Sequence, residues 1–347
     1  MNVLVGIISP AAIWVMPKPF VDRLRDEFPR HTFLEAWDRD AINRQLPDAD
    51  VAFTPFIDRD VFPSAKRLRW IQSPAAGIGS LMFPELHASD VVITSARGIR
   101  ARAIAEHVIG VTIALARRLP LAIRAQSAHR WAQEELDPGG KGAGRSPGDR
   151  GPRSERLEGA AVWTLRGARM GIVGLGSIGR EIAKLAAPFG LNVSGIRRRP
   201  EAPSDLRGVD IYGPDRLLDV LSSSDIIVLS MPHTPDTRQI IGPRELDRMK
   251  PGALLINIAR GKLVDDDAVV AALRDGRLGG AALDVFTREP LEASSPYWDL
   301  PNVIVTPHTS GAMEDYWTPL VTLFSDNLRR FEKGEPLLNV VDKEAGY

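Results

Sequence analysis

The stretch MGIVGLGSIGREIAKLAAPFG, Met170–Gly190, decides the fold class of this chain. It contains Gly174, Gly176 and Gly179 in G-x-G-x-x-G spacing, between an apolar strand pattern and an amphipathic helix pattern. That context predicts a strand, a tight turn and a helix whose N-terminus binds a pyrophosphate. Gly174 permits the turn, Gly176 lets the phosphate approach the backbone, and Gly179 lets helix pack on strand. A simple βα turn without a ligand is the alternative interpretation.

On both sides of this stretch, short β-branched runs alternate with longer helical patterns, which is typical of βα units and parallel sheets. Upstream we predict strands at Val3–Ile8, Thr32–Ala36, Val51–Thr54, Trp70–Gln72 and Val91–Thr94. From the stretch onward we predict strands at Arg169–Val173, Asn192–Ile196, Asp225–Leu229, Ala253–Asn257, Gly280–Val285 and Val303–Thr306. A last helix is predicted to run to about Lys333 and to end at Gly334.

The 347 residues suffice for two domains. The last helix is too short to be a domain, so we expect it to join the N-terminal one in a discontinuous substrate-binding domain, 1–101 plus 312–347. Residues 102–311 are expected to form the dinucleotide-binding domain. The predicted fold class is α/β, with two Rossmann-like or flavodoxin-like domains, parallel sheets and an active site in the cleft between them.

Two segments inside the second domain differ from its βα pattern. Ala101–Leu119 is apolar almost all round, which predicts a helix buried at a domain or subunit boundary. Its Glu106 and His107 are interpreted as packing residues. In residues 137–153, nine of seventeen are Gly or Pro, which predicts an exposed loop without regular structure.

Composition excludes several classes of protein. Lys plus Arg and Asp plus Glu number 44 each, so no net positive charge attracts a nucleic acid. The absence of cysteine excludes disulfides, thiolate metal sites and a cysteine nucleophile. No apolar run is long enough for a membrane helix, and MNVLVGIIS lacks the basic region of a signal peptide. We therefore expect a cytoplasmic protein that binds neither nucleic acid nor a membrane and holds no metal.

The end of the predicted strand Asn192–Ile196 indicates the cofactor. An NAD site has an acidic residue there, which accepts hydrogen bonds from the ribose hydroxyls. Here Arg197, Arg198 and Arg199 follow instead. A guanidinium binds a 2′-phosphate, which a carboxylate would repel. We predict NADP, with NADPH preferred over NADH, and contacts from Arg197 and Arg198; a solvated basic loop is the alternative.

Three polar residues each follow an apolar strand: Arg260 after ALLINIA, Glu289 after AALDVF and His308 after NVIVTP. In one parallel sheet all three would lie along the carboxyl edge, where such sheets bind ligands. Hydride transfer to a ketone leaves negative charge on its oxygen, and histidine is a suitable proton donor near neutral pH. A carboxylate would orient that imidazole, and arginine would bind a substrate carboxylate and polarise the carbonyl.

The motifs GLGSIG, INIARGKLVDDDA, LDVFTREPL and VIVTPHTSG, in that order, resemble the D-isomer-specific 2-hydroxyacid dehydrogenase family. The resemblance extends from SPAAGIGSL near residue 75 to the last helix, and four ordered motifs make it specific. It implies hydride transfer between NADP(H) and a small 2-keto or 2-hydroxy acid of the D series. The arginines that replace the usual acidic residue point to the glyoxylate/hydroxypyruvate reductase branch.

Carried onto matching positions, the resemblance implies that Arg260 binds substrate, His308 is the acid/base and Glu289 is its partner. Asp284 would contact the nicotinamide amide, and the backbone amides at 76 and 77 would hold the substrate carboxylate. The residues implied for these sites, beyond the glycines and arginines already named, are Ala76, Gly77, Ser177, Ile178, Pro232, Ile258, Ala259, Arg260, Asp284, His308 and Gly311. The helix near Ala101–Leu119 would help to form a homodimer.

Other activities remain as alternatives. Formate dehydrogenase is related, but its pattern has Gln where Glu289 stands. A phosphoglycerate dehydrogenase often carries a further regulatory domain, for which no residues remain here. The family also resembles a transcriptional corepressor that uses this fold as a nucleotide-sensing module. The substrate side chain is not determined by the sequence; Trp14, Tyr316 and Trp317 are candidates to line its pocket, or core residues.

Overall fold

Every strand pair within the two sheets is parallel, and each sheet belongs to its own unit of the chain. The computed structural model describes residues 1–8, 15–136 and 162–346. One unit comprises residues 1–99 and 313–347, and the other comprises residues 100–312. The predicted α/β fold class with two parallel sheets is confirmed. Trp14 and the predicted loop at 137–153 lie outside the described residues.

The sheet of the first unit has five strands in the order β2-β1-β3-β4-β5. These strands are β1 Asn2–Val5, β2 Thr32–Glu35, β3 Val51–Phe53, β4 Trp70–Gln72 and β5 Val92–Thr94. The helices of this unit are α1 Lys18–Glu27, α2 Arg39–Gln45, α3 Pro84–His87 and the C-terminal helix Trp317–Lys333. Since both faces of a parallel sheet are covered, its central strands β1, β3 and β4 are buried almost throughout rather than in alternation.

The C-terminal helix belongs to the core of the first unit. Its Phe324 stacks on Phe53 at 4.3 Å and on Trp70 at 5.3 Å between ring centroids. Gly334 ends the helix in the left-handed region, at φ 66°, as predicted. The chain therefore returns at its end to cover one face of the sheet that its first hundred residues form.

The sheet of the second unit has seven strands in the order β12-β11-β10-β9-β6-β7-β8. These strands are β6 Arg169–Val173, β7 Asn192–Ile196, β8 Val209–Tyr212, β9 Ile226–Leu229, β10 Ala253–Asn257, β11 Leu278–Leu283 and β12 Val303–Val305. The strand order reverses at β6, which lies between β9 and β7. Such a switch point opens a crevice at the carboxyl ends of the strands, where α/β sheets bind ligands.

Helices cover both faces of this second sheet. They are α4 Ala101–Ala116, α5 Leu119–Ser127, α6 Gln133–Leu136, α7 Ser177–Ala186, α8 Leu217–Ser223, α9 Pro243–Arg248 and α10 Asp266–Arg274. α4 is buried along most of its length, as its all-round apolar sequence predicts. No helix in the described ranges is both long and apolar enough to cross a membrane.

Two local features differ from the sequence predictions. The strand β8 was not predicted, because it is an edge strand whose residues are half-buried or exposed. The predicted helix Ala101–Leu119 ends instead at Ala116, and α5 begins after Arg118, which is left-handed at φ 54°. Pro120 lacks the N–H that would continue the first helix, and it is accommodated in the first turn of a new one.

Candidate active site

The carboxyl ends of β10, β11 and β12 lie side by side, because these parallel strands are neighbours in the sheet. Arg260 is in the loop after β10, Glu289 in the loop after β11 and His308 in the loop after β12. The sheet arrangement on which the sequence argument depended is therefore present. Loops at one edge of a rigid sheet are a suitable place to hold reacting groups.

Glu289 and His308 form a hydrogen-bonded pair, with 2.8 Å between Glu289 Oε2 and His308 Nδ1. The other carboxylate oxygen, Oε1, accepts a hydrogen bond from the backbone N–H of Phe286 at 2.9 Å, which orients the carboxylate. The His308 side chain is 53% exposed and that of Glu289 is 37% exposed, so a ligand can reach both. With Nδ1 directed at the carboxylate, Nε2 is the nitrogen that can exchange a proton with a ligand.

Asp284 holds the loop that carries His308. Its carboxylate is 1% exposed and accepts hydrogen bonds from the Thr306 hydroxyl at 2.6 Å, the Thr309 N–H at 2.8 Å and the Ser310 N–H at 3.0 Å. Its carbonyl oxygen accepts from the His308 N–H at 2.9 Å. His308 itself has a φ of 56°, in the left-handed region that few non-glycine residues adopt. Asp284 therefore stabilises a strained backbone at His308; its contact with a nicotinamide amide stays a prediction.

Arg260 is exposed at the edge, and its backbone is fixed by Asn257. Asn257 is buried; its Nδ2 donates to the Arg260 carbonyl at 2.9 Å, and its Oδ1 accepts from the Ala259 N–H at 3.1 Å. Arg260 Nη1 donates to the Ala259 carbonyl at 2.6 Å. In the part of the chain that the structure describes, no carboxylate lies within ion-pair distance of Arg260. Its guanidinium is thus oriented yet still able to bind an added carboxylate.

Gly261 brings the loop after β10 against the loop after β11. A Cβ on Gly261 would lie 1.9 Å from the Phe286 carbonyl carbon and 2.2 Å from the Thr287 nitrogen, so no side chain fits there. Since Phe286 also donates to Glu289, this backbone contact couples the position of Arg260 to that of the His308–Glu289 pair. Neither Asn257 nor Gly261 was predicted from the sequence as a site residue. An asparagine ending an apolar strand, and a glycine next to the candidate arginine, were the signals available.

The glycine loop adopts the turn that the dinucleotide motif requires. Gly174 has a φ of 105°, and a Cβ there would lie 2.7 Å from the Met231 nitrogen. A Cβ on Gly179 would lie 2.4 Å from the Gly174 carbonyl oxygen, which shows how closely helix packs on turn. Among the described residues, no atom lies within 4 Å of the position that a Cβ on Gly176 would take, so space is open there, beside Ser177 and Ile178 at the start of α7. The loop fits a pyrophosphate at a helix N-terminus.

The loop after β7, residues 197–208, carries the predicted phosphate contacts. The Arg197 guanidinium donates to the carbonyl oxygens of Pro200 and Ala202, so it closes the loop from within. Arg198 is exposed. Asp205 ties the far end of the loop to α7 through ion pairs with Arg180 and, at 3.3 Å, Lys184. The loop is therefore held at two points while it presents basic side chains outward.

Other predicted cofactor contacts lie on the same unit. Ile258 and Ala259 are buried just before Arg260, and Gly311 packs against α4, where a Cβ would lie 3.0 Å from Arg100 Cδ. The Pro232 carbonyl accepts a hydrogen bond from the Thr237 hydroxyl at 2.9 Å. Each lies at the carboxyl edge of the sheet or beside it, and its contact with a cofactor stays a prediction.

His107, on α4, is half-buried. Burial lowers the pKa of its imidazole below the ordinary value, and the Asp284 carboxylate acts in the opposite direction. His107 therefore lies within electrostatic range of Asp284, which supports the loop of His308. The interpretation of His107 as a packing residue did not include this interaction. Glu106 is exposed and pairs with Arg102 at 2.7 Å.

The candidate substrate residues of the first unit lie after β4. Ala76 and Gly77 are exposed in that loop. Tyr316 is 8% exposed, and its hydroxyl donates to the Pro74 carbonyl of the same loop. Trp317 packs against Tyr316 and Phe20, with ring centroids 5.4 Å and 6.4 Å away.

The chain is similar to known proteins over nearly its whole length. Residues 109–310 match the family model of the D-isomer specific 2-hydroxyacid dehydrogenase, NAD binding domain. The chain is 32% identical over 336 residues to the glyoxylate reductase of Thermococcus gammatolerans, covering 95% of this chain and 94% of that protein.

Two solved structures are similar over nearly the full length. One is a D-isomer specific 2-hydroxyacid dehydrogenase from Xanthobacter autotrophicus in complex with NADPH and MES, with a TM-score of 0.79, 29% identity and 99% of each chain covered. The other is an NADPH-dependent glyoxylate/hydroxypyruvate reductase from Sinorhizobium meliloti in complex with NADP and sulfate, with a TM-score of 0.76, 26% identity and 100% of each chain covered.

Proposed function

This chain belongs to the D-isomer specific 2-hydroxyacid dehydrogenases, and from that premise we propose that it reduces glyoxylate and hydroxypyruvate with NADPH. The observation that carries this proposal is the His308–Glu289 hydrogen bond beside Arg260, at the ends of three neighbouring strands. A proton donor held by a carboxylate, next to an arginine without an ion-pair partner in the described chain, suits a substrate that has both a ketone and a carboxylate.

The chain's own residues would act in the following way. Arg260 binds the substrate carboxylate and draws electron density toward the ketone oxygen, which orients the ketone for attack. The bound nicotinamide supplies the hydride. Protonated His308 transfers the proton on Nε2 to the ketone oxygen, so that the ketone becomes a hydroxyl group. Glu289 accepts from Nδ1 throughout and stabilises the imidazolium before transfer.

The glycine loop and the basic loop would bind the cofactor. The open space at Gly176 and the N–H groups at the start of α7 fit a pyrophosphate. We assign the shape of the loop to Arg197, whose guanidinium donates to two carbonyls within it, and the main contact with a 2′-phosphate to Arg198, which is exposed. Asp284, Pro232, Ile258, Ala259 and Gly311 would border the nicotinamide half.

The backbone amides of Ala76 and Gly77 would also bind the substrate carboxylate. Both residues are exposed, and neither N–H donates to a protein carbonyl among the backbone bonds of the described residues. Successive unoccupied N–H groups form an anion-binding concavity. A small substrate fits this arrangement, since its carboxylate would be bound by groups that do not depend on its side chain.

A cytoplasmic homodimer is also part of this proposal. The exposed side chains of α4 include charged Arg102 and Glu106, whereas the chain after it also exposes large apolar side chains among its polar ones. Ile123 on α5 is 60% exposed and Trp131 is 91% exposed. Arg124 on α5 donates to the Trp298 carbonyl, which places a further exposed tryptophan beside the helix. Exposed apolar side chains of this size suit contact with a second copy of the chain better than contact with water. Light scattering tests the homodimer, because it measures the mass of the protein in solution.

The test is a comparison of kcat/KM for glyoxylate, hydroxypyruvate, pyruvate and phenylpyruvate, each with NADPH and with NADH. We expect the highest values for the first two acids with NADPH, and D-glycerate as the product from hydroxypyruvate. Absence of turnover with all four acids would contradict the proposed activity. A higher kcat/KM for phenylpyruvate than for glyoxylate and hydroxypyruvate would contradict the proposed substrates.

A further inference from the structure

The loop Ser73–Gly77 is held by hydrogen bonds to three successive carbonyl groups. Gln72 Nε2 donates to the Ser73 carbonyl at 2.9 Å, the Tyr316 hydroxyl donates to the Pro74 carbonyl, and the Ala96 N–H donates to the Ala75 carbonyl at 3.0 Å. The loop therefore has its oxygens directed at partners within the first unit.

These bonds determine where the next N–H groups point. In a trans peptide the carbonyl oxygen and the following N–H are directed to opposite sides of the chain. Since the Ala75 oxygen is directed at Ala96, the Ala76 N–H is directed away from it, on the side where Ala76 and Gly77 are exposed. The Ala75 N–H is in turn occupied by the Ser73 hydroxyl at 3.1 Å. The hydrogen bonds to the carbonyl groups of the loop therefore leave the Ala76 N–H directed outward.

Among these donors, Tyr316 is the one that comes from a distant part of the chain. Gln72 lies at the end of β4, the Ser73 hydroxyl donates to the Ala75 carbonyl at 3.1 Å from within the loop itself, and Ala96 donates from its backbone. The Tyr316 ring is 8% exposed and packs in the core of the first unit, with the Trp317 ring at 5.4 Å. A rigid ring in a core holds its hydroxyl in one place, so the Pro74 carbonyl is oriented by a fixed donor.

We propose that Tyr316 is a positioning residue for substrate binding: its hydroxyl orients the Pro74–Ala75 peptide, and through it the Ala76 and Gly77 amides that bind the substrate carboxylate. This inference rests on the proposed function, which assigns those amides to the substrate. It replaces the expectation that Tyr316 lines the pocket for the substrate side chain. A residue that acts in this way changes affinity for the keto acid and leaves affinity for the cofactor unchanged.

The test is Tyr316→Phe, which keeps the ring and removes the hydroxyl. Loss of one hydrogen bond that leaves a buried carbonyl unpaired corresponds to about a tenfold change in an equilibrium constant. We expect KM for glyoxylate to rise about tenfold, with a smaller fall in kcat and no change in KM for NADPH. The matched control is Tyr297→Phe, which removes another buried tyrosine hydroxyl, bonded to Asp266 at 2.9 Å. That variant is expected to lose stability without a change in either KM.

The possible outcomes separate this inference from the proposed function. A wild-type KM for glyoxylate in Tyr316→Phe overturns the inference, and so does an equal loss in both KM values, which would indicate a structural role alone. If the wild-type enzyme reduces no keto acid, the proposed function fails. Calorimetric titration with oxamate then still decides the role of Tyr316: weaker binding to Tyr316→Phe supports the inference, and equal or undetectable binding to both proteins overturns it.

Discussion

The loops after β10, β11 and β12 and the loop after β7 both place charged side chains at the carboxyl edge of one sheet, but they hold them differently. In the first region, buried residues such as Asn257 and Asp284 fix the backbone on which Arg260 and His308 stand. In the second, the Arg197 side chain itself closes the loop through the carbonyls of Pro200 and Ala202, and the following Arg198 and Arg199 are exposed. A reacting group requires a fixed position, whereas a phosphate contact requires charge within reach. Changes in the first region should therefore impair catalysis with any cofactor, and changes in the second should alter only the choice between NADPH and NADH.

The largest expected effect tests the first half of this comparison. His308→Ala removes the proposed proton donor, so we expect kcat to fall by about 10²–10⁴-fold with NADPH and NADH alike. The measurement is steady-state reduction of glyoxylate with each cofactor. His87→Ala is the control, because His87 is a partly exposed histidine of the first unit whose nearest carboxylate is Glu344 at 3.7 Å. A fall that affected one cofactor only would contradict the role of His308.

Arg260→Lys should have the next largest effect. Lysine retains the charge but not the planar fork that binds a carboxylate through two hydrogen bonds. We expect kcat/KM for glyoxylate to fall on the order of a hundredfold, with contributions from both KM and kcat, at unchanged preference between cofactors. Lys262→Arg is a control in the adjacent turn. Near-normal kinetics of Arg260→Lys would show that Arg260 is a surface residue.

The second half of the comparison predicts an effect confined to NADPH. Arg198→Gln should lower kcat/KM for NADPH by about ten- to a hundredfold and leave the value for NADH nearly unchanged, because NADH has no 2′-phosphate. Arg197→Gln should act in the same direction, through the loop that it closes. Arg207→Gln is the matched control, since Arg207 is an exposed arginine of the same loop. A wild-type enzyme that used both cofactors equally well would contradict the predicted preference.

The smallest effect sharpens the role of Glu289. Its carboxylate accepts hydrogen bonds from His308 Nδ1 and from the Phe286 N–H, so it fixes the direction of the imidazole. Glu289→Gln retains the shape and removes the charge, which replaces a charge-assisted hydrogen bond with a weaker neutral one, so we expect kcat for glyoxylate to fall about tenfold at unchanged KM for NADPH. The measurement is steady-state reduction of glyoxylate with saturating NADPH. An unchanged kcat would show that Glu289 does not position His308.

The sequence predicted best those elements whose pattern reflects burial on both faces. Trp70–Gln72, Arg169–Val173 and Ala253–Asn257 have the predicted bounds, because a strand covered on two sides is an apolar run with clear ends. The edge strand β8 has no such run, and the end of α4 depends on a backbone turn at Arg118. Burial periodicity does not report either feature.

The same distinction applies to the site. The positions of Arg260, Glu289 and His308 follow from the rule that parallel strands end at one edge. Asp284 accepts hydrogen bonds from backbone N–H groups of the loop after β12, and the Arg197 guanidinium donates to backbone carbonyls of its own loop. Backbone N–H and carbonyl groups are the same in every residue, so these contacts leave no pattern in the sequence.

Gly261 limits how this enzyme can be redesigned. One of its Cα hydrogens faces the Phe286–Thr287 backbone, so the loops after β10 and β11 share one contact that admits no side chain. A library that varied either loop alone would retain the geometry of the other and would tolerate few changes in backbone path. We therefore expect that substrate specificity can be exchanged between relatives only when both loops are transplanted together.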